Sequence, residues 1–517
     1  MVIADSQLLE PASGNRQSRG SLTMTQISTL FGTLAFAVSF AGSWIPSLWG
    51  DEAASVMSAE RPLSTLFPML QHVDAVHGTY YLLLHFWIDL FGASPLSVRF
   101  PSAVITGIAC GGTIVLANIL FSRRIAVITG IVCVLLPRFT YMGSEARSYA
   151  LSAAVAVWLT VLFVMLVATR SRRASLWVLY GVGVAVGIYV FLYLALLLLV
   201  HGAYFLVVRR EERQWRRWFR ATVFGVVLAG PVIGFGIAER NQIAFLAHRS
   251  PATFSTVLVG QWFDTVWLAS LCWGLIVFGC VATVLALRKR STLTAGRTFH
   301  VQNTNPRGMV FILVWCILPT TLLLAANAVV LPSYSNRYLS FCAPAVAILL
   351  AIGVAALPRF WMQVAALLAF VALAIPGYIA ERTEFGKPGG SDWAVVSAII
   401  AQKAMPGDAI VFDNGVKPSW RPRLAMHLYP ADYTAVDDIA LKTPYERTAD
   451  LWDEVYPIQD ITDRLVGISR VWSLETTVSD STSVTSDLHV LERNGFTVEQ
   501  VIPVHRTIIY ELVRSRS

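Results

Sequence analysis

Long apolar runs separated by short polar stretches set the pattern of the first 380 residues. The runs cover about 26–48, 100–121, 125–142, 149–169, 174–190, 191–208, 221–238, 264–287, 308–330, 338–357 and 360–380. Each is roughly 17–25 residues long, the length an α-helix needs to cross a bilayer, so the pattern predicts about eleven transmembrane helices. A twelfth apolar stretch, 79–93, has only fifteen residues and contains His85 and Asp89. At that length an interfacial or re-entrant helix is expected. Residues 49–99 then form a large first loop with helices near 62–72 and 79–93 lying along the membrane. Beyond Tyr378 the pattern changes. Residues 384–391 form a flexible Gly- and Pro-containing link, 392–405 has helical periodicity, and short apolar runs at 409–413, 470–474 and 507–512 predict strands, with a helix near 483–494. The fold class expected is a polytopic α-helical membrane protein, with a transmembrane domain at 25–380 and a small C-terminal α/β domain at 381–517.

Composition agrees: 55% of the 517 residues are hydrophobic and 14% charged, with mean hydropathy +0.60, where a soluble protein carries about 25% charged residues. The net charge of +8 is unevenly placed. With the N-terminus cytoplasmic, the inside segments hold 19 Arg and Lys and the outside segments before residue 381 hold seven. That asymmetry is the positive-inside pattern and excludes a nucleic-acid footprint as the explanation of the charge. Residues 1–24, polar and rich in Ser and Gln, read as a disordered cytoplasmic tail. The odd number of spans puts the C-terminal domain outside. The arginine-rich, lysine-poor composition, with abundant Ala and Val, hints at a GC-rich bacterial genome, so the membrane expected is a bacterial plasma membrane. All six cysteines fall in apolar runs, without metal-ligand spacing, so neither a disulfide framework nor a metal centre is expected.

Candidate chemistry collects on the outer side. Asp51-Glu52 follows the first run directly. Ionisable groups at a membrane boundary are costly unless solvated or paired, although acids also suit the first turn of a helix. Gly143-Ser144-Glu145-Ala146-Arg147-Ser148-Tyr149 leads into the fourth run, and Ser333-Tyr334-Ser335-Asn336-Arg337-Tyr338 opens the tenth. An arginine fork can grip a phosphate with two N–H bonds, and Glu145 is placed to hold Arg147. Each arginine alone reads equally as a helix-end ion pair or an interfacial anchor. With His77, Tyr80 and Tyr81 on the same side, the set suits a phosphate-bearing lipid and a sugar. Two acids alone do not indicate a divalent cation, although one is possible there, and no cofactor is required. Lys387 follows a glycine without the spacing of a phosphate loop.

Asp51-Glu52, His77-Gly78-Thr79-Tyr80-Tyr81-Leu82-Leu83-Leu84, Glu145-Ala146-Arg147-Ser148-Tyr149-Ala150-Leu151 and Arg337-Tyr338-Leu339 with Pro344 occur in this order. This series resembles the protein O-mannosyltransferase-like membrane glycosyltransferases of the GT-C fold, which include the lipid A aminoarabinose transferases. The resemblance implies inverting transfer of a sugar from a polyprenyl phosphate to a glycan, lipoglycan or protein acceptor at the outer face. It implies Asp51 as general base or as the group that orients the acceptor hydroxyl, with Glu52 shaping the pocket or tuning Asp51. Arg147 and Arg337 would then take the phosphate, with His77, Tyr80, Tyr81, Glu145, Tyr149 and Tyr338 lining the substrate site. Where many members have Pro-Pro before the aromatic pair this chain has His77-Gly78, and where some have a phosphate-binding lysine it has Val76. Mannose is the sugar expected; arabinose and aminoarabinose stay open. The rival class is a lipid-linked sugar transporter or flippase, for which internal repeats and helices interrupted at the bilayer midplane would be the signature; the sequence shows no repeat.

Overall fold

A computed structural model describes residues 22–207, 212–240, 252–292, 305–330, 334–477 and 481–515. Most of the tail expected at 1–24 lies outside the described residues. The chain divides into two compact units. One comprises residues 1–40, 102–144 and 148–378, and the other residues 41–101, 145–147 and 379–517.

The first unit is a helical bundle, and the protein is a multi-pass membrane protein. Each of the eleven apolar runs is a helix or a bent pair of helices. Among the described residues, six helices are long and apolar enough to span a bilayer, and eight spans result if each bent pair counts as one. The helices Met24–Phe40 and Ala174–Val190 and the segment Leu192–Leu206 are shorter than that. The bends have local causes. Arg123–Leu135 and Pro137–Gly143 meet at 57°. Pro137 has no N–H to continue the ladder and holds Leu136 extended. Glu212–Leu228 and Gly230–Ala238 bend by the same angle ahead of Pro231. The first run does not stay helical to Leu48: its helix ends at Phe40, and Gly42 turns the chain at φ +72°. Inside the bundle, 89% of the most apolar 18-residue window of Asn336–Ala356 is buried, against 22% of that of Phe360–Ala380. Ala343–Ala356 can sit so deep because Gly353 touches its neighbour backbone to backbone. A Cβ there would lie 2.2 Å from the Leu275 carbonyl oxygen of Val266–Thr292, a small-residue crossing of the kind that packs membrane helices.

The second unit is built on a five-stranded sheet. Its strands, with a separate hairpin, are β1 (Asp408–Phe412), β2 (Val436–Asp438), β3 (Leu441–Thr443), β4 (Glu454–Val455), β5 (Arg470–Thr476), β6 (Phe496–Pro503) and β7 (Thr507–Arg514). The sheet order is β2-β1-β5-β7-β6; β1 is parallel to both its neighbours, β5–β7 and β7–β6 are antiparallel, and β3–β4 is the small hairpin. The loop after the first membrane helix belongs to the same body. Its helices Gly50–Glu60, Leu63–Leu70 and Gly78–Phe91 place Val56, Met57, Leu66, Met69 and Tyr81 in one apolar cluster with Trp393, Ile410, Phe412 and Trp472. Polar ties reinforce it: Ser391 Oγ donates to the Leu48 carbonyl at 2.7 Å, and Arg61 Nη1 to that of Thr448 at 2.9 Å. Residues 384–391, expected as a flexible link, include buried Lys387 and Ser391 and a Lys387–Gly390 turn closed at 2.9 Å. That expectation is corrected: Pro388-Gly389-Gly390 supplies a tight turn, not freedom.

Candidate functional site

Asp51 and Glu52 sit in the first turn of Gly50–Glu60, where the unpaired backbone N–H groups favour acids. Trp49 precedes the helix in an extended conformation. Position 50 must be glycine because a Cβ there would lie 2.2 Å from the Ser419 carbonyl oxygen. From this start the two acids diverge. Glu52 is fully buried. Its Oε1 accepts from Arg99 Nε at 2.7 Å and from the Ala146 amide at 2.9 Å, and its Oε2 accepts from Arg99 Nη2 at 2.5 Å. Burial alone would raise its pKa, but Arg99 and then Lys387 outweigh it and hold the carboxyl below the ordinary range. Arg99 donates further to the carbonyls of Ser43, Pro46 and Ser47 at 2.6–3.1 Å, so the pair pins the chain that enters the helix.

Glu145, also fully buried, accepts from Trp49 Nε1 at 2.9 Å and from Lys387 Nζ at 2.8 Å. The sequence reading gave it the task of holding Arg147; the structure assigns it to Trp49 and Lys387. Burial, with the nearby charge of Glu52, pushes its pKa up against the pull of Lys387. Arg99 and Lys387 are the residues the sequence reading passed over. Arg99 lay at the edge of an apolar run and Lys387 in what looked like a linker. For Arg99 the one available signal was that it is the sole charged residue between Asp89 and Arg123; Lys387, among Glu381, Arg382, Glu384 and Asp392, had none.

Arg147 reaches the other side of the helix start. Its Nη1 donates to the Asp51 carbonyl and to Ser55 Oγ, both at 3.1 Å, and its Nη2 to His77 Nε2 at 3.2 Å. A guanidinium only donates, so His77 Nε2 is unprotonated and any ring proton is on Nδ1. Burial and the Arg147 charge push the His77 pKa down to about 3, against the pull of Asp51, so the imidazole is neutral at physiological pH. Asp74 accepts from Tyr81 OH at 2.8 Å and from the His77 amide through its carbonyl at 2.8 Å. Its φ of +59° is unusual for a non-glycine residue. Burial raises the Asp74 pKa, Arg147 and Tyr81 oppose it, and Asp51 adds to the rise. Burial and Asp74 raise that of Tyr81, which also shares a hydrogen bond with Arg147. Tyr80 is buried beside it on Gly78–Phe91. Asp51 is half-buried, its charge felt by both Asp74 and His77. The structure thus brings Asp51, His77, Tyr81 and Arg147 together and adds Asp74 and Ser55.

Tyr149, Arg337 and Tyr338 belong to the helical bundle. Tyr338 stacks on Tyr193 at 5.3 Å and meets Phe191 at 6.0 Å, and Phe191 meets Tyr149 at 6.2 Å. The Tyr149 hydroxyl is buried without a hydrogen-bond partner among the described residues. Arg337 opens the 3-10 turn Asn336–Cys342 and is half-exposed. Among the described residues no three His, Cys, Asp or Glu side chains are grouped as metal ligands.

The fold has counterparts among solved structures. The structure of ArnT from Cupriavidus metallidurans in the apo state matches with TM-score 0.56 at 15% identity, covering 93% of this chain and 97% of that one. The chain has the GT-C fold. The same ArnT bound to undecaprenyl phosphate matches this GT-C chain with TM-score 0.55, again at 15% identity and with the same coverage. The arabinofuranosyltransferase AftD from Mycobacteria matches with TM-score 0.52 at 16% identity, over 96% of this chain and 40% of that one. The model of the dolichyl-phosphate-mannose-protein mannosyltransferase family matches residues 79–235. That segment of the GT-C chain holds Tyr80, Tyr81, Glu145, Arg147 and Tyr149, and leaves Asp51, Glu52, His77, Arg337 and Tyr338 outside. No curated protein sequence matches the chain.

Proposed function

We propose that the protein is an inverting glycosyltransferase that moves a monosaccharide from a polyprenyl phosphate to a hydroxyl of a cell-envelope acceptor. The observation that carries this reading is the attachment of Arg147 to the Asp51 carbonyl and to Ser55, which keeps a permanent cation beside a partly open carboxylate. In the reaction the acceptor oxygen attacks the anomeric carbon from the face opposite the phosphate. The bond from that carbon to the phosphate oxygen breaks, and its electron pair stays on the lipid phosphate. Asp51 takes the proton of the acceptor hydroxyl, a poor nucleophile until that proton leaves. Arg147 meets the charge developing on the leaving phosphate, in surroundings shielded enough for the contact to count. Neutral His77 fixes one edge of Arg147 and leaves the positive charge undivided. Glu52 and Glu145 act as positioning residues, since their oxygens are engaged by Arg99, Ala146, Trp49 and Lys387. Arg337, Tyr338 and Tyr149 are the bundle's candidates for contact with the lipid carrier.

The undecaprenyl phosphate bound in the ArnT structure supports a polyprenyl carrier, and the family description supports mannose as the first sugar to test. The test incubates purified protein with labelled polyprenyl-phosphate mannose, arabinose and aminoarabinose and measures polyprenyl phosphate released in the presence of envelope glycolipids. One donor is expected to be consumed in step with a glycosylated product. Transport of intact donor across vesicles without release would overturn the reading in favour of a flippase.

A further inference from the structure

The turn 387–390 leads from Lys387, the partner of Glu145, to a second cation that the proposed reaction does not use. Arg506, in the connection between β6 and β7, is 4% exposed. Its guanidinium lies between two indole rings, 4.9 Å from the centroid of Trp393 and 5.2 Å from that of Trp420. Its Nε and Nη2 are buried without hydrogen-bond partners among the described residues, and so is the neighbouring Trp393 Nε1. Asp392 is near enough to act on it by charge. Its oxygens, however, are occupied by the amides of His505, Arg506 and Thr507 at 3.2, 2.7 and 2.7 Å, and by Thr507 Oγ1 at 2.9 Å. Asp392 is therefore spent on the hairpin turn. Buried donors are almost always satisfied, and a buried cation without a hydrogen-bonded anion is costly. Three unsatisfied donors at one place mark a missing acceptor.

The surroundings favour a negative one. Trp393 opens the eleven-residue helix Trp393–Lys403, whose N-terminal end carries positive potential. Gly389, at φ +77°, borders the cluster without a side chain. A Cβ at that position would sit 3.5 Å from Arg506 Nη1 and 3.1 Å from the Trp420 ring. Gly389 is exposed and Trp420 half-exposed, so they form the rim through which a ligand reaches the guanidinium. The rim also adjoins the proposed catalytic helix, because Ser419, next to Trp420, packs on Gly50.

We propose that Arg506, with Trp393 and the Gly389 rim, forms a subsite for an oxyanion, a phosphate or carboxylate carried by the acceptor. The assignment to the acceptor rests on the transferase reading above; the oxyanion site itself does not. The site selects acceptors bearing a negative group and orients them toward the start of Gly50–Glu60.

The test uses the full chain in neutral phosphatidylcholine nanodiscs, titrated with inorganic phosphate and separately with glucuronate, reading bound ligand at equilibrium. Saturable binding of at least one probe at about one equivalent is expected. Arg506→Gln should weaken it by about tenfold or more, as loss of a charge-assisted hydrogen bond does, and Arg506→Lys by less. Arg447→Gln, an exposed arginine on the turn Tyr445–Arg447, should leave it unchanged. Absence of saturable binding in the unaltered protein would overturn the subsite without recourse to any variant, and so would equal binding by Arg506→Gln. Competition by phosphatidic acid in the discs would show a membrane headgroup as the occupant and overturn the assignment to the acceptor. Since the titration involves no turnover, normal transfer without probe binding would remove the subsite alone, and probe binding without transfer from any donor would remove the transferase reading alone.

Discussion

Adjacent in sequence, Asp51 and Glu52 have opposite environments, and each difference makes a prediction. Glu52 is sealed against Arg99. Glu52→Gln removes one partner of a buried pair and leaves a buried cation, which costs about 3–5 kcal/mol. A clear drop in melting temperature is expected, with loss of activity following loss of folded protein. Because the folded pKa of Glu52 lies below its unfolded value, its stabilising contribution is full above pH 4.5 and falls away as the pH drops below that value. His77 works in the same direction. Its pKa is about 3 in the fold and 6.5 unfolded, so between those values the unfolded chain binds the proton that the folded chain refuses, and stability falls as pH falls. Melts of the protein and of His77→Gln across pH 7 to 4 should show the variant with the shallower slope; parallel slopes would remove His77 from the account. A rate limb with a pKa near 6.5 should not arise from His77. That Asp51 and Arg147 belong together was legible from the sequence through the order of motifs. The partner of Glu145 was not, because Lys387 lies 242 residues further along the chain and no local pattern encodes such a pairing.

At the level of elements, hydrophobic periodicity carried most of the information. All eleven apolar runs contain helix, the first only as far as Phe40, since an apolar run of bilayer length has few other ways to satisfy its backbone. β1 and β5 were also readable, being buried at nearly every position. β6 was missed because seven of its eight residues are partly or fully exposed, and an edge strand facing solvent carries little apolar alternation. Gly50–Glu60 was only half visible, as a carboxylate pair suited to a first turn; its small apolar residues Ala53, Ala54 and Val56 look like neither a span nor an amphipathic stripe. Gly50→Ala tests how this helix is seated. On propensity alone the change favours a helix by about 1 kcal/mol, yet the added methyl would meet the Ser419 carbonyl oxygen at 2.2 Å. A lower melting temperature and reduced transfer are expected; a gain in stability would show that the approach of 419 to 50 is not obligatory.

For the whole molecule, the sequence pointed to a bundle, an outer loop and an appended domain, whereas the contacts join 41–101 with 379–517 in one unit. Their common apolar cluster predicts cooperative opening. In hydrogen exchange, amides of Gly50–Glu60 and of β1 should share one opening free energy, and a change such as Trp472→Ala should speed both. Exchange in the helix that ignores the sheet would contradict that unity. The central claim, that this unit carries out sugar transfer with Asp51 as base, is tested most directly by comparing the protein with Asp51→Asn. Release of polyprenyl phosphate from the donor identified above is read beside equilibrium binding of the same donor. The account predicts unchanged binding and a rate lower by about 100-fold or more; turnover within a few fold of the unaltered protein would contradict it.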